Sequence, residues 1–245
     1  MTLSFWTKTS GTWINVLTVL AGTALGLMLN RLPQSWLRIV AQGVGLLTLW
    51  LGLTMSGSLT QVQAGVDGAV LGLLAIALGG IIGEWWQLEE RLAAVGDWLK
   101  QRFRGQGRFT EGFVAASLLF CVGPMTLIGS LNNGLSGDNT LLTLKAAMDG
   151  IAALVFTSTY GIGVGFSTLV ILVYQGGLSL AAGTLATAIG DPATDPRVVL
   201  ATGVGGLMIM GIGLNLLEVT KIRVASFLPA LLLAPVIYGV AQWLT

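Results

Sequence analysis

The chain has 245 residues, of which 54% are hydrophobic and only 9% are charged, and its formal net charge is +1. Soluble domains carry about 25% charged residues, so this composition excludes an ordinary soluble protein. The near-neutral charge gives no basic surface for nucleic acid. We expect an all-α, polytopic transmembrane helix bundle whose partner is the lipid bilayer.

The counts of histidine and cysteine exclude several kinds of site. The chain has no histidine, which removes histidine-based acid–base catalysis, histidine metal sites and histidine haem ligation. The single cysteine, Cys121, can form neither an internal disulfide nor a thiolate cluster. We expect no metal, no cofactor and no enzymatic activity. An intramembrane enzyme with Asp138 and Asp149 as an acid pair is disfavoured, because Asp138 falls in a predicted loop.

Hydropathy predicts about eight membrane spans in chain order. The first reads as a span rather than a cleaved signal peptide, because only Lys8 precedes it and no small-x-small site follows. The apolar stretch that begins at Leu141 is read as two spans joined by a turn at Tyr160–Gly165, because one span would reverse the sidedness of the later basic residues. The predicted spans are Trp13–Leu29, Leu37–Met55, Ala69–Trp86, Gly112–Leu131, Leu141–Tyr160, Val164–Ala181, Val198–Leu217 and Val224–Leu244.

Lysine and arginine residues orient these spans. The loops around Ser56–Val66 and Asn132–Thr140 have neither residue type. Because positive residues favour the cytoplasmic side, we expect the odd-numbered loops to be cytoplasmic and both termini to lie outside. The third loop holds Arg91, Lys100, Arg102, Arg104 and Arg108, and the seventh holds Lys221 and Arg223.

The third loop also contains the segment LEERLAAVGDWLKQRF. Its apolar residues recur every three or four positions, so one face is apolar and the other charged. This pattern predicts a cytoplasmic amphipathic helix at 88–104 that lies on the membrane interface, as an anchor or as a docking helix for a partner. The rest of residues 1–245 is expected to form a single transmembrane domain. The apolar positions are Leu88, Leu92, Val95, Leu99 and Phe103.

Glycine is unusually common, with 35 residues, and two spacings favour close helix packing. Gly22-x-x-x-Gly26 and Gly79-x-x-x-Gly83 allow helix backbones to approach closely in lipid. Glycine-lined faces of this kind could also form the interface of a homodimer. GVGLLTLWLGL at 43–53 resembles GVGGLMIMGIGL at 203–214, with one extra residue in the second. The predicted topology gives these segments opposite directions, so they could belong to an internal inverted repeat, as in many transporters.

The fourth predicted span contains a helix breaker. In SLLFCVGPM, Gly123 and Pro124 fall at mid-span. Pro124 lacks a backbone N–H and clashes with the carbonyl one turn earlier, at Phe120. The sequence therefore predicts a break at Gly123-Pro124. It would be either a packing kink or a discontinuous helix whose free carbonyls meet an ion or substrate.

The fifth predicted span contains two charges four residues apart, Lys145 and Asp149. Residues at this spacing share a helix face and can pair. Insertion scales assign about 2.5–3.5 kcal/mol to such a charge at the centre of a span, so charges there usually face a bundle interior or a wet cavity. One interpretation is a self-neutralised structural pair. The other is a site at which Asp149 binds a cation or proton and Lys145 is its resident counter-charge.

Other polar residues near the spans complete the candidate set. Asn15, Gln175 and Asn215 lie within or near spans, where they could donate interhelical hydrogen bonds or form polar walls of a site. The segment NNGLSGDNT, which includes Asn133, is read as a turn between the fourth and fifth spans. This turn could also be the mouth of a cavity above the break.

Several strings together resemble a known family. They are LLFCVGPM, Ile128-Gly129-Ser130, Gly134-Leu135, Lys145, Asp149-Gly150, Tyr174-Gln175-Gly176 and GIGLNLL at 211–217. The chain resembles the YdfK/YqgA-like family of bacterial integral membrane proteins, a domain of unknown function, over nearly its whole length. The resemblance implies a multi-span helical fold and a bacterial inner-membrane location, and it supplies no function.

These observations favour a small secondary transporter or channel for a small ion or polar solute. The predicted site lies between the broken fourth span and the Lys145/Asp149 face of the fifth. Its candidate residues are Asp149, Lys145, Gly123, Pro124, Phe120, Asn133, Gln175 and Asn215. The alternative is a non-transporting assembly or sensor module whose polar groups only hold the bundle together.

Overall fold

The computed structural model describes residues 4–29, 34–62, 65–188 and 194–244, and within these ranges it is helical with no strand. The prediction of an all-α membrane bundle is confirmed. Short 3₁₀ turns lie at Gly57–Gln61 and Val224–Phe227. The α-helices are α1 (Phe5–Lys8), α2 (Ser10–Leu29), α3 (Gln34–Ser56), α4 (Gly68–Trp85), α5 (Leu88–Arg102), α6 (Phe109–Cys121), α7 (Pro124–Ser136), α8 (Thr140–Tyr160), α9 (Gly163–Ala188), α10 (Pro196–Leu216) and α11 (Leu228–Leu244).

Seven helices of the described residues are long and apolar enough to cross a membrane, and α6 with α7 forms an eighth span if the bent pair counts as one. The pair is bent by 61°. The predicted division between the fifth and sixth spans is confirmed, because α8 ends at Tyr160 and Gly161 turns the chain with a φ of 83°. The predicted amphipathic segment forms α5, which ends two residues early at Arg102.

One predicted turn begins later than expected. The NNGLSGDNT segment continues α7 as far as Ser136, so Asn133 is helical. The helix ends at Gly137, whose φ of 78° suits a glycine better than any other residue. The helix therefore runs past the predicted end of the span at Leu131, and the turn is confined to residues 137–139.

The helices group into two compact units, each made of two separate stretches of chain. Unit 1 comprises residues 1–41 and 93–192, and unit 2 comprises residues 42–92 and 193–245. The unit boundaries fall inside α3 and α5. Unit 1 therefore contains α1, α2 and α6 to α9, whereas unit 2 contains most of α3 together with α4, α10 and α11.

Unit 1 is built around a parallel contact between α2 and α8. Glycines of α2 lie directly against the backbone of α8, as their spacing predicts. The contacts advance along both helices in the same direction, so the first and fifth spans are parallel, as alternating spans require. From one end to the other, Gly11 lies against Leu142, Gly22 against Gly150 and Gly26 against Leu154.

The broken pair α6–α7 lies along α9 for the length of a span. At one end, Gly163 of α9 meets the backbone of Phe109, and at the other, Gly134 of α7 meets the carbonyl of Ser179. The intervening part of α9 is about 24 Å long at 1.5 Å per residue. The pair thus runs beside a full membrane helix from end to end, which is the geometry of a broken span rather than of a loop that returns to the same face.

Unit 2 brings together the two segments that resemble each other in sequence. Gly52 of α3 lies against Gly206 and Met210 of α10, while Gly213 of α10 lies against Leu49 of α3. The helices are therefore antiparallel, as the predicted topology requires. If Leu49 is matched to Met210 and Gly52 to Gly213, the contact of Gly52 with Met210 corresponds to the contact of Gly213 with Leu49. Two helices related by a twofold axis pack in this way. With this register, GLLTLWLGL aligns with GLMIMGIGL without the extra residue.

The other two helices of unit 2 repeat this arrangement. Gly79 of α4 lies against Ala230 of α11, and Gly83 lies against Ser226 in the 3₁₀ turn before it, so these helices are also antiparallel and the second glycine spacing is explained. A 3₁₀ turn precedes each of α4 and α11. Both hairpins of unit 2 thus have the order helix, 3₁₀ turn, helix, and this order supports the inverted repeat.

Candidate functional site in unit 1

The centre of the candidate site is an ion pair on α8. Lys145 and Asp149 are joined through Nζ and Oδ2, and only 6% and 8% of these residues is exposed. Asp149 lies nine residues into a helix of 21, about 13 Å from its start. The pair therefore lies near the middle of a span and faces protein rather than lipid.

Two amides from other helices join this pair. Asn15 of α2 donates through Nδ2 to Asp149 Oδ2 at 2.9 Å and to Gln175 Oε1 at 3.0 Å. Gln175 of α9 donates through Nε2 to Thr12 Oγ1 at 3.4 Å. Asn15 and Gln175 are fully buried. The prediction that they make interhelical hydrogen bonds is confirmed, and three helices meet at one polar centre.

One acceptor in this centre is unused. Asn15 Oδ1 is buried and has no hydrogen-bond partner. A buried acceptor left without a donor costs about 1–3 kcal/mol, so most proteins avoid it. An unmatched amide oxygen beside a carboxylate marks a place where a donor or a cation would be stabilised.

The helix break lies close to the same centre. Cys121, which ends α6, is buried, and both α6 and α7 pack against α8, the helix of the charged pair. Gly123 has a φ of 146°, which glycine tolerates, and Pro124 is the first residue of α7. The break at Gly123-Pro124 is therefore confirmed, and it lies in the helix pair that packs against α8.

The carbonyl that the proline leaves without its helical donor is not free. Phe120 O accepts a hydrogen bond from Thr126 Oγ1 at 3.3 Å, and all of these atoms are buried. A side chain from the second half-helix thus caps the first. The Phe120 carbonyl therefore has a protein partner, so it is not one of the free carbonyls that the sequence hypothesis places against an ion or substrate.

The cap at the break gives a stability prediction. Thr126→Val keeps the shape of the side chain and removes the donor to Phe120 O, so we expect the free energy of unfolding to fall by about 1–3 kcal/mol. Denaturant titration of the protein in detergent measures this change. Thr126→Ser retains the hydroxyl and is the matched control; an equal loss in both variants would mean that the hydrogen bond contributes nothing.

Two other candidate residues have structural contacts elsewhere. Asn133 of α7 accepts from the Gly11 amide at 3.1 Å and donates to Thr7 O and to Ser10 Oγ, both at 3.0 Å, so its amide holds the corner between α1 and α2. Asn215 belongs to unit 2. Its amide exchanges two hydrogen bonds of 2.7 Å with the backbone of Ile222, which fixes the turn after α10.

Unit 1 also contains hydroxyl groups that sequence reasoning missed. Every buried side-chain polar atom without a partner in the described residues belongs to this unit. Besides the Asn15 oxygen, one hydroxyl of this kind lies on each of the five long helices of the unit, α2 and α6 to α9. Serine and threonine are common in spans and usually bond to their own helix, so spacing alone gives no signal for them. The unpartnered hydroxyls are those of Thr23, Ser117, Ser130, Thr157 and Ser179.

Unit 2 has no comparable centre among its described residues. A cavity of about 310 Å³ there is lined by apolar side chains such as Ile76, Leu207 and Met210, which suits neither an ion nor a polar solute. Three of its charged side chains meet at an exposed corner, where Arg223 pairs with Glu84 at 2.5 Å and also with Glu90.

A third glutamate completes this exposed corner. Glu89 of α5 accepts a hydrogen bond from the Ala225 amide at 2.8 Å. Partial burial raises the pKa of Glu89, and the Ala225 amide and Arg223 oppose that shift. These contacts tie the second 3₁₀ turn to the end of α4 and the start of α5.

Comparison with known proteins gives the chain a family. It is 29% identical over 228 residues to the uncharacterized membrane protein YdfK of Bacillus subtilis, with 93% of this chain and 94% of the relative covered. It is 31% identical over 232 residues to the uncharacterized protein YqgA of Escherichia coli, with 91% and 94% covered. No solved structure matches significantly. The resemblance seen in the sequence is confirmed: residues 10–239 match the family described as protein of unknown function (DUF554), and the chain belongs to that family.

Proposed function

We propose that the chain is a small secondary transporter or channel that moves a small ion or polar solute through unit 1. The observation that carries this proposal is the buried Lys145–Asp149 pair with the unused Asn15 oxygen beside it. The proposal includes a bacterial inner membrane as the location, with the odd-numbered loops in the cytoplasm.

Energetics support a role beyond stability for the pair. A well-packed apolar pair is often as stable as a buried ion pair or more stable, so charges that persist at mid-span have a cost without a structural gain. Intramembrane ionisable residues commonly mark ion or substrate pathways. The adjoining break supports this role, because discontinuous helices at mid-span form many transporter sites.

The unpartnered hydroxyls extend the polar centre along unit 1. Ser130 and Ser179 lie in the half where α8 begins, whereas Ser117 and Thr157 lie in the half where α8 ends. Buried hydroxyls without partners are groups that a passing hydrated ion or polar solute could contact. Their distribution on both sides of Asp149 supports a route rather than an isolated pocket.

The alternative remains an assembly or sensor module. It is favoured by Thr126 and Asn133, whose side chains form hydrogen bonds with backbone groups of neighbouring helices. In this case, replacing polar residues would lower stability without a separable loss of flux.

Flux through proteoliposomes tests the proposed function. We expect wild-type protein to move at least one solute from a panel of Na⁺, K⁺, Li⁺, chloride and glycine, and Asp149→Asn to lower the rate about tenfold or more, since one buried charge is removed. Asp138→Asn is the matched control, because it makes the same chemical change in the exposed loop; its flux should stay within about twofold.

The outcomes of this experiment are distinct. If Asp149→Asn and Lys145→Ala proteins fold normally and keep the wild-type flux, the site assignment is wrong. If the wild-type protein moves no solute of the panel faster than empty liposomes do, the hypothesis that it transports these solutes is wrong. The assembly or sensor module is then the better explanation.

A further inference from the structure

The buried ion pair of unit 1 leaves hydrogen-bond acceptors without donors. Both described contacts of the Asp149 carboxylate use Oδ2, which accepts from Lys145 Nζ and from Asn15 Nδ2. No described donor reaches the other oxygen, Asp149 Oδ1. Asn15 Oδ1 is buried and also has no donor. Two hydrogen-bonded side chains thus present an unmatched acceptor each.

The ammonium group of Lys145 has unused capacity of the opposite kind. An ammonium has three N–H donors, and a buried one is stabilised when each of them has an acceptor. Asp149 Oδ2 is the acceptor that the described residues supply to Nζ. Both N–H bonds of the Asn15 amide are used, by Asp149 and Gln175, so the unmatched donors of this centre belong to Lys145.

The net charge of the site selects among small solutes. The carboxylate and the ammonium cancel, so a bound cation would leave a net positive charge in the low-dielectric interior, and a bound anion would leave a net negative one. A zwitterion adds no net charge. Its carboxylate can accept from Lys145 while its ammonium donates to Asp149 and Asn15, which matches the unused groups on both sides of the pair.

The spacing of the charges restricts the zwitterion further. Lys145 and Asp149 are in direct contact, so the two charges that a solute must face are adjacent. In an α-amino acid, the ammonium and the carboxylate are attached to one carbon, so both can reach the pair together. In ε-aminocaproate, a chain of methylene groups separates them, so one end would meet the pair and the other would be left unmatched in the interior.

We propose that unit 1 binds and carries a small α-amino acid, whose carboxylate pairs with Lys145 and whose ammonium pairs with Asp149 and Asn15 Oδ1. The internal pair stays in place and becomes part of a ring of four alternating charges, and no group changes its protonation. The near-complete burial of the site between α2, α8 and α9 favours the smallest members, glycine, alanine and serine. This inference rests on the proposed transport function and names the substrate class of the same site.

Binding of radiolabelled glycine, alanine and serine to the intact wild-type protein in detergent is the first test, because it needs no variant. We expect saturable binding of at least one of the three. Unlabelled analogues then compete for the site: ethanolamine lacks the carboxylate, acetate lacks the ammonium, and ε-aminocaproate separates the two. Each should compete at least about tenfold more weakly than the bound amino acid, which is the loss expected for one hydrogen bond to a charged group. If none of the three binds saturably, or if any analogue competes as well as the amino acid does, the proposal is overturned.

Variants of the site are the second test, with the same binding measurement. Asn15→Ala should lower the affinity about tenfold, because it removes an acceptor of the bound ammonium. Asn132→Ala makes the same chemical change at a half-buried position near the end of α7, and its affinity should stay within about twofold of the wild-type value. Lys145→Met/Asp149→Leu removes both charges and keeps apolar volume, so it should bind none of the three. A folded double variant with wild-type affinity would also overturn the proposal.

Flux in proteoliposomes separates failure of this inference from failure of the proposed function. If the wild-type protein moves an ion of the panel and binds no α-amino acid, this inference falls and the proposed function stands. If it binds an α-amino acid but moves neither that amino acid nor any ion, transport is wrong and the assignment of the bound solute stands. If it neither binds an amino acid nor moves any solute, both fall.

Discussion

Lys145→Met should lower the free energy of unfolding by about 3–5 kcal/mol, because it leaves the buried carboxylate of Asp149 without its counter-charge. The remaining partner of that carboxylate is the Asn15 amide, which carries no charge. Protonation of Asp149 would recover part of the loss. Denaturant unfolding of the purified protein in detergent measures the change.

The double variant Lys145→Met/Asp149→Leu is the informative control. It removes both charges and keeps apolar volume, so we expect its free energy of unfolding to return to within about 1–2 kcal/mol of the wild-type value. Its flux should nevertheless be lost. A stable protein without activity would show that the pair is kept for function. A double variant as unstable as Lys145→Met would instead favour the assembly or sensor module, in which the charges hold the bundle together.

Features that depend on nearby residues could be predicted from the sequence. Hydropathy locates the spans because the backbone N–H and C=O groups of a segment in lipid must form hydrogen bonds within that segment, which makes each apolar span a helix. The break follows from Gly123-Pro124, and the pairing of Lys145 with Asp149 follows from helical spacing. The parallel and antiparallel helix contacts also agree with eight alternating spans.

Features that depend on residues far apart in the chain could not be predicted in the same way. Asn15 lies 134 residues before Asp149, and nothing local distinguishes it from an ordinary interhelical amide. The Thr126 cap on Phe120 depends on the bend at the break. The division into two units, each made of separate stretches, depends on which of many glycines face one another, and with 35 glycines the sequence allows too many pairings.

Gly22→Ala should destabilise the protein strongly, because it places a methyl group against the backbone of α8. A methyl group on Gly22 would overlap the carbonyl oxygen of Gly150 and approach the Leu154 amide nitrogen at 3.1 Å. Both obstacles are backbone, so neither can rotate away, and α2 must separate from α8. Overpacking of this kind costs about 1–3 kcal/mol and sometimes more. Thermal or denaturant unfolding in detergent should show a loss at or above the top of that range.

Gly177→Ala is the matched control for this change. Gly177 also lies within a span of unit 1, but an added Cβ would meet no atom within 4 Å. We expect its stability to change by at most about 1 kcal/mol, the difference in helix propensity between glycine and alanine. Equal losses in the two variants would mean that glycine acts through helix propensity and that the α2–α8 contact is unimportant.

The same substitution should also remove activity, because α2 carries Asn15 about two turns before Gly22. Separating α2 from α8 moves the Asn15 amide away from Asp149, to which it donates at 2.9 Å. At temperatures where the Gly22→Ala protein stays folded, its flux should therefore fall with that of Asn15→Ala. If flux stays at the wild-type value in a folded Gly22→Ala protein, the hydrogen bond from Asn15 to Asp149 is not required for transport. Asn15 is then not part of the functional site.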